Sequence, residues 1–313
     1  MSFAKTVKEE LVTIPIGLEE QLAECSAFLH LNGELHIEAR QKTLDFKTNN
    51  PTVAKRFLQL IRTLYQAEIT LKTQQQTKLK KRQTVIVSIR TKVEDILNEH
   101  SLLESNPDAD EVITQSPKAK QAYLRAAFLS SGSMNHPKTA EYHLEIFSNN
   151  PNQMIFVQSL MNAFDLNARI TKRRKGYIVY IKDAESISMF LQIVGDQNAL
   201  FQFEDIRIKR DFNNSINRVI NCEVANERKA LDAANQQIKD IKTIEKYKKN
   251  EQIDPKIKQI MDLRKKYPDI SLRELADAYE ETYHETISKS GLNHRMQKIK
   301  QLATDIRKQR KIS

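Results

Sequence analysis

The pattern of apolar and polar positions in the first two hundred residues occurs twice. The largely apolar stretch Cys25–Gly33 returns as Leu124–Gly132, 99 positions later. The stretch Phe46–Pro51 returns as Ile146–Pro151, 100 positions later, and both copies end in Asn-Asn-Pro. Two copies are too few to stack into a solenoid, so the repetition predicts one domain with an internal pseudo-twofold axis.

Each copy has the same order of predicted elements. Runs of β-branched residues after basic turns, Val85–Arg90 and Tyr177–Lys182, predict strands, and amphipathic segments earlier in each copy predict helices. The order helix, strand, strand, helix, strand, strand, helix is therefore expected over residues 18–98 and again over 117–196. The predicted fold class is an α+β N-terminal domain of two repeats, residues 1–210.

A helical linker is predicted over residues 211–252. Asp211–Asn250 contains neither glycine nor proline, and its first part, Asn217–Asn226, is rich in asparagine. Two interpretations stay open: a spacer helix packed on the first domain, or a direct role of the asparagines in ligand or DNA contact. Lys246–Asn250 is expected to be a flexible joint. A narrow apolar seam at three- and four-residue steps is suited to packing on one neighbour: Leu231, Ala234, Ile238 and Ile241.

Residues 253–313 predict a separate all-α domain. Asp254–Pro255 is typical of a helix N-cap followed by the first helical position. Ser271–Glu274 has the pattern of a capping box, which predicts the start of the next helix. After a polar bend near 280–286, another helix is predicted from about Ser288. The apolar positions of this last helix share one face: Leu292, Met296, Ile299 and Ala303.

The opposite face of the last helix is basic and rich in amides. Two short helices, each with one apolar face, predict a helix-turn-helix over Ser271–Ala303, whose second helix enters the major groove of double-stranded DNA. Asn and Gln side chains can pair with adenine, and Arg or Lys with guanine. Arg295 and Lys300 lie on the flanks, where phosphate contact is expected. The candidate DNA-binding residues are Ser288, Lys289, Ser290, Asn293, His294, Arg295, Gln297, Lys298 and Lys300.

The distribution of charge agrees with a nucleic-acid partner. The 313 residues carry a formal net charge of +10, and residues 286–313 hold eight Lys and Arg against one acidic residue. The alternative is a solvated basic tail. A surplus confined to a recognition helix and its extension indicates contact with DNA phosphates instead.

Other classes of function find no support in the sequence. No apolar run approaches the roughly 20 residues of a membrane span, and the N-terminus does not resemble a signal peptide. Cys25 and Cys222 are too few for a disulfide framework, fit a reducing cytoplasm and are expected to be buried. No metal-ligand spacing, catalytic triad or glycine-rich phosphate loop is present. We therefore expect a cytoplasmic, nucleoid-associated protein without a metal, a cofactor or a membrane contact.

The repeated helices resemble the LAGLIDADG motif of homing endonucleases. In that family, two motif helices pack through small residues, and each delivers an acidic residue just before its terminal glycine to a divalent metal. Here the corresponding residues are Asn32 and Ser131, so the resemblance implies degenerate former catalytic positions and no catalytic residues. A rescued site that uses Glu34 or Glu24 is the alternative. As plain helix packing, the two motif glycines would be C-cap glycines.

The chain as a whole resembles the WhiA family. The segment Asn217–Asn226 and the last helix, with its sequence Ser288–Lys-Ser-Gly-Leu-Asn-His-Arg295, are the distinctive parts. The resemblance implies a sequence-specific transcription regulator that binds promoter DNA and acts in cell division, chromosome segregation or sporulation. The alternatives are a chromosome-organising DNA-binding protein of low sequence specificity and an active endonuclease. Basic hairpin turns at 78–82 and 172–175 leave open whether the repeated domain contacts DNA or a protein partner.

Overall fold

The computed structural model describes residues 2–38, 41–75, 83–103, 113–247 and 253–312. The chain divides into two compact units, residues 1–211 and 212–313, and each is described by itself. The predicted basic turn at 78–82 and the end of the predicted joint, 248–250, lie outside the described residues.

The N-terminal unit begins with a helix that belongs to neither repeat and continues with the first repeat. The predicted order of elements in this repeat is confirmed. The helices are α1 (Phe3–Leu11), α2 (Leu18–Asn32), α3 (Pro51–Tyr65) and α4 (Val93–Glu99), and the strands are β1 (Gly33–Glu38), β2 (Gln41–Thr48), β3 (Ile69–Gln75) and β4 (Gln83–Ile89).

The second repeat follows the same order, as predicted. Its strands pair in the order β5-β6-β8-β7, which matches β1-β2-β4-β3 in the first repeat, and all pairs are antiparallel. The helices are α5 (Pro117–Ser131), α6 (Pro151–Asn162) and α7 (Ala184–Val194), and the strands are β5 (Gly132–Met134), β6 (Leu144–Ser148), β7 (Arg169–Arg173) and β8 (Gly176–Ile181).

The helices α2 and α5 pack against each other within the N-terminal unit. Small buried residues such as Ala27 and Ala127 allow this close approach. Gly33 and Gly132 occupy the C-caps, but with φ of −81° and −69°, so no left-handed residue ends these helices. A Cβ atom would lie 2.3 Å from the Leu29 carbonyl oxygen at the first glycine, and equally close to the Phe128 ring at the second. Glycine is needed here for space.

A buried ion cluster joins the two repeats. The Glu24 carboxylate on α2 has no exposed surface, and it accepts hydrogen bonds from Arg56 at 2.7 and 2.8 Å and from Arg125 on α5 at 3.0 Å. Arg56 also donates to the carbonyl oxygens of Val12 and Ile14, and Arg125 to that of Val194. Each buried charge therefore has a partner of opposite sign and further hydrogen bonds.

The long helix α8 (Gln197–Tyr247) is longer than the sequence predicted, because it begins at Gln197 rather than Asp211. The side chains over 211–229, including Cys222, are exposed, so the expectation that this cysteine is buried was wrong. Cys25 is buried as expected. Of the predicted seam, Ala234 and Ile241 are buried, whereas Leu231 is exposed.

The C-terminal unit contains three further helices, α9 (Pro255–Lys266), α10 (Leu272–Tyr283) and α11 (Lys289–Ile312). The end of α8 belongs to the same core, because Ile241 and Ile244 pack with the apolar residues of the three helices. Ion pairs hold it there: Asp240 lies 2.8 Å from Arg307 on α11, and Glu245 lies 2.6 Å from Lys265 on α9. The predicted three-helix domain therefore includes part of a fourth helix.

Candidate nucleic-acid interface

The first helix of the predicted helix-turn-helix, α10, begins at a capping box. The Ser271 backbone N–H donates to Glu274 at 2.7 Å, and the Glu274 N–H donates to the Ser271 hydroxyl at 3.3 Å. Hydrogen bonds from the Ser271 backbone N–H and then from its side chain stabilise the charged carboxylate and hold the pKa of Glu274 below its usual value. The predicted capping box is therefore confirmed, and it fixes where α10 starts.

The bend between α10 and α11 is shorter than predicted. The helix α10 continues to Tyr283, because Tyr279 and Tyr283 pack on each other with ring centroids 5.0 Å apart. Both hydroxyls donate to Gln259 on α9, at 2.9 and 3.4 Å. The turn begins at His284, which has a left-handed conformation with φ of 56°. The prediction that the bend starts at residue 280 was wrong.

The last helix, α11, begins where the sequence predicted. The Ser288 hydroxyl accepts a hydrogen bond from the Gly291 N–H at 3.1 Å and so caps the first turn. The predicted apolar face is confirmed, because its four residues are buried in the core of the C-terminal unit: Leu292, Met296, Ile299 and Ala303.

The opposite face of α11 presents most of the candidate DNA-binding residues to solvent. Apart from the Ser288 cap, none of the side-chain hydrogen bonds or ion pairs in the described part of the chain uses these side chains. The exposed members of the predicted set are Ser288, Lys289, Ser290, Asn293, His294, Gln297, Lys298 and Lys300. The structure therefore brings eight of the nine candidates to one exposed surface, which we call the α11 face.

Arg295 differs from the other candidates. Its side chain is half-buried, and its guanidinium lies 6.0 Å from the centroid of the Tyr279 ring on α10. One guanidinium nitrogen is buried and has no hydrogen-bond partner among the described residues. Arg295 therefore braces α11 against α10, while Lys300 is fully available on the flank.

Sequence reasoning missed one residue of the α11 face. Gln301 is exposed and lies one turn after Gln297 on the same side of the helix. The same four-residue spacing that selected the other candidates could have found it. The helix also continues to Ile312, well beyond Ala303, and places Lys308 on the exposed side.

The positions that the resemblance predicts to be former catalytic ones, Asn32 and Ser131, lie at the ends of the two motif helices. The Asn32 side-chain N–H donates to the Lys47 carbonyl oxygen at 3.0 Å, and the Ser131 hydroxyl donates to the Phe147 carbonyl oxygen at 2.6 Å. Lys47 and Phe147 occupy the same place on β2 and β6. Both positions are therefore used in the same way, to tie a motif helix to its own sheet.

The two acids that would rescue a metal site do not form one. Glu24 is fully buried between two arginines, and Glu34 on β1 is paired with Lys47 and lies 3.7 Å from His36. No group of three or more His, Cys, Asp or Glu side chains suited to a metal ion occurs in the described part of the chain. The neutral amide and hydroxyl at Asn32 and Ser131 lack the anionic oxygens that Mg²⁺ prefers.

The basic hairpin of the second repeat is exposed. Arg173 on β7 lies 3.8 Å from the Glu145 carboxylate, and the Lys172 ammonium lies 6.0 Å from the Tyr177 ring centroid. Arg174 and Lys175 complete the turn and are solvated. Weak contacts of this kind leave these charges available to a partner. Among the residues that the structure describes, no helix has the length and apolar character of a membrane span.

Three family models together match most of the chain. The WhiA N-terminal LAGLIDADG-like domain matches residues 18–103, the WhiA LAGLIDADG-like domain matches 120–213, and the WhiA C-terminal HTH domain matches 216–303. The last match includes the exposed part of α8 as well as the helices of the C-terminal core.

Proteins named "Probable cell division protein WhiA" are similar to this chain over almost their whole length. The protein of Lacticaseibacillus paracasei is 42% identical and covers 96% of both chains, and that of Staphylococcus aureus is 39% identical and covers 98% of both. Among solved structures, the full-length DUF199/WhiA of Thermatoga maritima aligns with a TM-score of 0.60 at 24% identity, covering 97% of this chain and 99% of that one. The N-terminal LAGLIDADG domain of DUF199/WhiA aligns over 66% of this chain and 96% of its own at 26% identity, with a TM-score of 0.52. A degenerate LAGLIDADG fold joined to a helix-turn-helix domain, with relatives of this identity and coverage, shows that the chain belongs to the WhiA family.

Proposed function

We propose that the chain is a transcription regulator that binds promoter DNA sequence-specifically through the α11 face. The observation that carries this proposal is the exposed row of amides, hydroxyls and ammonium groups on one side of α11. These side chains are held on a helix whose other side is buried in the core, so their spacing is fixed before DNA arrives. A recognition helix of this kind fits the major groove.

Each side chain of the α11 face has a role that its chemistry suggests. Asn293 and Gln297 carry both a donor and an acceptor, which adenine requires in the major groove. Ser288, Lys289 and Ser290 lie at the start of α11, where backbone N–H groups and the helix dipole favour phosphate. His294 lies among these residues and can contact a base edge.

The lysines supply the part of the affinity that is independent of sequence. Lys298 and Lys300 form no ion pair with any residue that the structure describes. Both ammonium groups are therefore available to neutralise DNA phosphates. Arg295 contributes differently, because its contact with Tyr279 fixes the position of α11. We therefore assign Arg295 mainly to positioning, with Lys298 and Lys300 as the phosphate contacts.

We further propose that the N-terminal unit adds binding surface and does not cleave DNA. Asn32 and Ser131 both donate to backbone carbonyls, and Glu24 is enclosed by arginines, so the former metal site has neither its acids nor a substitute. Incubation of supercoiled plasmid with the protein and Mg²⁺ should leave the plasmid intact. Reproducible nicking that disappears in a Glu34→Gln variant would contradict this proposal.

The biological setting follows from the relatives and stays part of the proposal. Relatives at about 40% identity are named as cell division proteins, which supports target promoters in cell division or chromosome segregation. A protein partner, recruited by the N-terminal unit, is compatible with the exposed basic hairpin at 172–175.

A protection footprint tests the proposal against an architectural role. The full-length protein is incubated with genomic fragments of the organism that encodes it, and protected segments are mapped at physiological salt. We expect short, discrete protected sites upstream of genes. Uniform coverage of the fragments, without preferred sites, would instead indicate a chromosome-organising protein of low specificity.

A further inference from the structure

A polar cavity of about 670 Å³ lies within the N-terminal unit, beside the end of α2. Its walls come from α1, from the end of β2 with the turn after it, and from the end of α5. Asn32, one of the two former catalytic positions, lines it. The first helix, α1, precedes the segment matched by the family models and belongs to neither repeat, so part of this cavity is an addition to the repeated fold.

Three lysines line this cavity, and no acidic residue does among the described lining residues. Two of the lysines have acidic neighbours: Lys5 lies 3.6 Å from Glu9, and Lys47 is paired with Glu34. Lys8 is half-buried and has no acidic partner in the described part of the chain. Its ammonium lies 5.5 Å from the centroid of the Phe128 ring. The cavity therefore holds a positive charge that the protein itself does not neutralise.

Burial without an anion is unfavourable for Lys8. It lowers the pKa of the Lys8 amine to about 8, because removing water disfavours the charged form. An anion bound nearby would stabilise the charged form and reverse this shift. Ser130, at the end of α5, lies on another wall of the cavity, and its hydroxyl is buried and has no hydrogen-bond partner among the described residues. A cation and a hydroxyl donor are thus both without a protein acceptor.

A related cavity of about 500 Å³ provides an internal comparison. It lies at the corresponding turn of the second repeat, against the end of α2, and most of its lining residues belong to the first repeat. Asn149 and Asn150 line it as Asn49 and Asn50 line the first cavity, and both turns lead into a capped helix. Phe147 stands where the first repeat has Lys47, although Lys47 and its partner Glu34 also line this second cavity. Among the residues that the structure describes, no counterpart of α1 lines this second cavity. Leucines such as Leu102 and Leu103 line it instead. The helix start and the asparagine turn are shared. Among the described lining residues, the first cavity has three lysines and no acid, whereas the second has Lys47 together with Glu34.

From this asymmetry we infer that the lysine-lined cavity binds a phosphate group, with Lys8 as the principal cation and Lys5, Lys47 and Ser130 as additional donors. Hydrogen bonds from ammonium and hydroxyl groups to the ionised oxygens of phosphate are charge-assisted and stronger than those between neutral groups. The phosphate belongs either to a free phosphorylated compound or to the backbone of DNA, and both present the same oxygens. The inference does not rest on the α11 face, which lies in the other unit.

The test follows the Lys8 side chain directly in the full-length protein. The protein is labelled with ¹³C-lysine, and the NMR signal of the Lys8 Cε atom is assigned by its loss in a Lys8→Gln variant. This signal is then followed while inorganic pyrophosphate or, in a separate experiment, a mixed-sequence DNA duplex is added. We expect a shift of the Lys8 signal, and a rise of its pKa by about 1–3 units, with at least one of the two probes. If only pyrophosphate shifts the Lys8 signal, the ligand is a free phosphorylated compound. If the duplex shifts it at a lower concentration than pyrophosphate does, the ligand is the DNA backbone.

Lys120 is a matched control in the same unit, because it is also half-buried and has no described ion pair. Lys8→Gln should weaken binding of the effective probe to the N-terminal cavity, followed through the Lys47 signal, by about tenfold or more. Lys120→Gln should leave it within twofold, and equal urea midpoints show that both variants are folded. The inference is overturned if neither probe moves the Lys8 signal, if the Lys120 signal moves as much, or if both variants bind alike.

Discussion

The two units of the chain use the same kinds of polar side chain in opposite ways. At the ends of the motif helices, Asn32 and Ser131 donate to backbone carbonyls of their own repeat. On the α11 face, Asn293 and Gln297 are exposed and make none of the described side-chain hydrogen bonds. The side chains of Asn32 and Ser131 are therefore already hydrogen-bonded within the fold, whereas those of Asn293 and Gln297 are available to a partner.

This difference distinguishes polar groups that stabilise the fold from polar groups that are available to bind a partner. A polar group that is already hydrogen-bonded to the protein gains little from a ligand, whereas a pre-positioned group in water can exchange its water for a base edge. Asn32 and Ser131 therefore contribute to packing between each motif helix and its own sheet. The Glu24 cluster likewise serves the fold, because its ion pairs join the two repeats.

The largest expected effect concerns the Glu24 cluster. A Glu24→Gln substitution removes the anion and leaves the Arg56 and Arg125 guanidiniums buried without a counter-charge. We expect the free energy of unfolding of the N-terminal unit to fall by about 3–5 kcal/mol, measured by urea denaturation. Glu34→Gln is the control, since that ion pair is largely exposed and should change stability by less than about 1 kcal/mol. Similar losses in both variants would show that the buried cluster contributes no more to stability than an exposed ion pair.

A second prediction concerns pH and Asp196, which is buried in the same unit and caps the start of α8. Burial, together with the neighbouring Glu10 carboxyl, raises the pKa of Asp196 to about 7. The native state then keeps a proton that the unfolded chain loses near pH 4, so stability should fall as pH rises from about 4 to about 7.

Urea midpoints at the two ends of this window measure the effect. We expect a difference of at least about 1.4 kcal/mol in the wild type, the equivalent of one pKa unit, and a smaller difference in Asp196→Asn. A variant whose pH dependence equals that of the wild type would assign the effect to other groups.

Two asparagines form a matched pair that tests the comparison between the units. Asn32→Ala should lower the free energy of unfolding by about 1 kcal/mol, because a hydrogen bond to the Lys47 carbonyl is lost. Asn293→Ala should leave stability within about 0.5 kcal/mol and weaken DNA binding instead. Thermal unfolding measures the stability of both variants, and a DNA-binding titration measures their affinity. Stability losses of equal size would mean that Asn293 is also part of the fold.

The smallest expected effect is on the salt dependence of DNA binding. Lys298→Ala should lower affinity by a similar factor for all sequences and reduce the slope of log affinity against log salt by about 0.9. Fluorescence anisotropy at several salt concentrations measures this slope. An unchanged slope would place Lys298 away from the phosphates.

The sequence predicted the features that depend on local spacing. The repeat, the capping box at Ser271 and the buried face of α11 all follow from neighbouring residues, and all are confirmed. The prediction of the DNA-binding residues on α11 stays a prediction, although most of them share one exposed surface.

The features that sequence reasoning missed depend on contacts between distant residues. Glu24 meets Arg125, 101 residues away, and no local pattern indicates that pairing. The tyrosines that extend α10 depend on Gln259 of another helix, and Arg295 is half-buried because Tyr279 lies opposite. The sequence correctly predicted that Gly33 and Gly132 end the motif helices. Glycine is required there because a side chain would clash with Leu29 or Phe128, which only the structure shows.

One measurement tests the central claim, that the α11 face reads DNA sequence. Binding sites are selected from a random duplex pool with the wild-type protein and with Gln297→Ala, at the same physiological salt, and the two preferences are compared position by position. We predict a defined wild-type site and a loss of preference at one position in the variant, equivalent to about 1–3 kcal/mol of discrimination. Identical preferences in both proteins would contradict the assignment of Gln297 as a base-reading residue, and the absence of any wild-type preference would contradict sequence-specific binding itself.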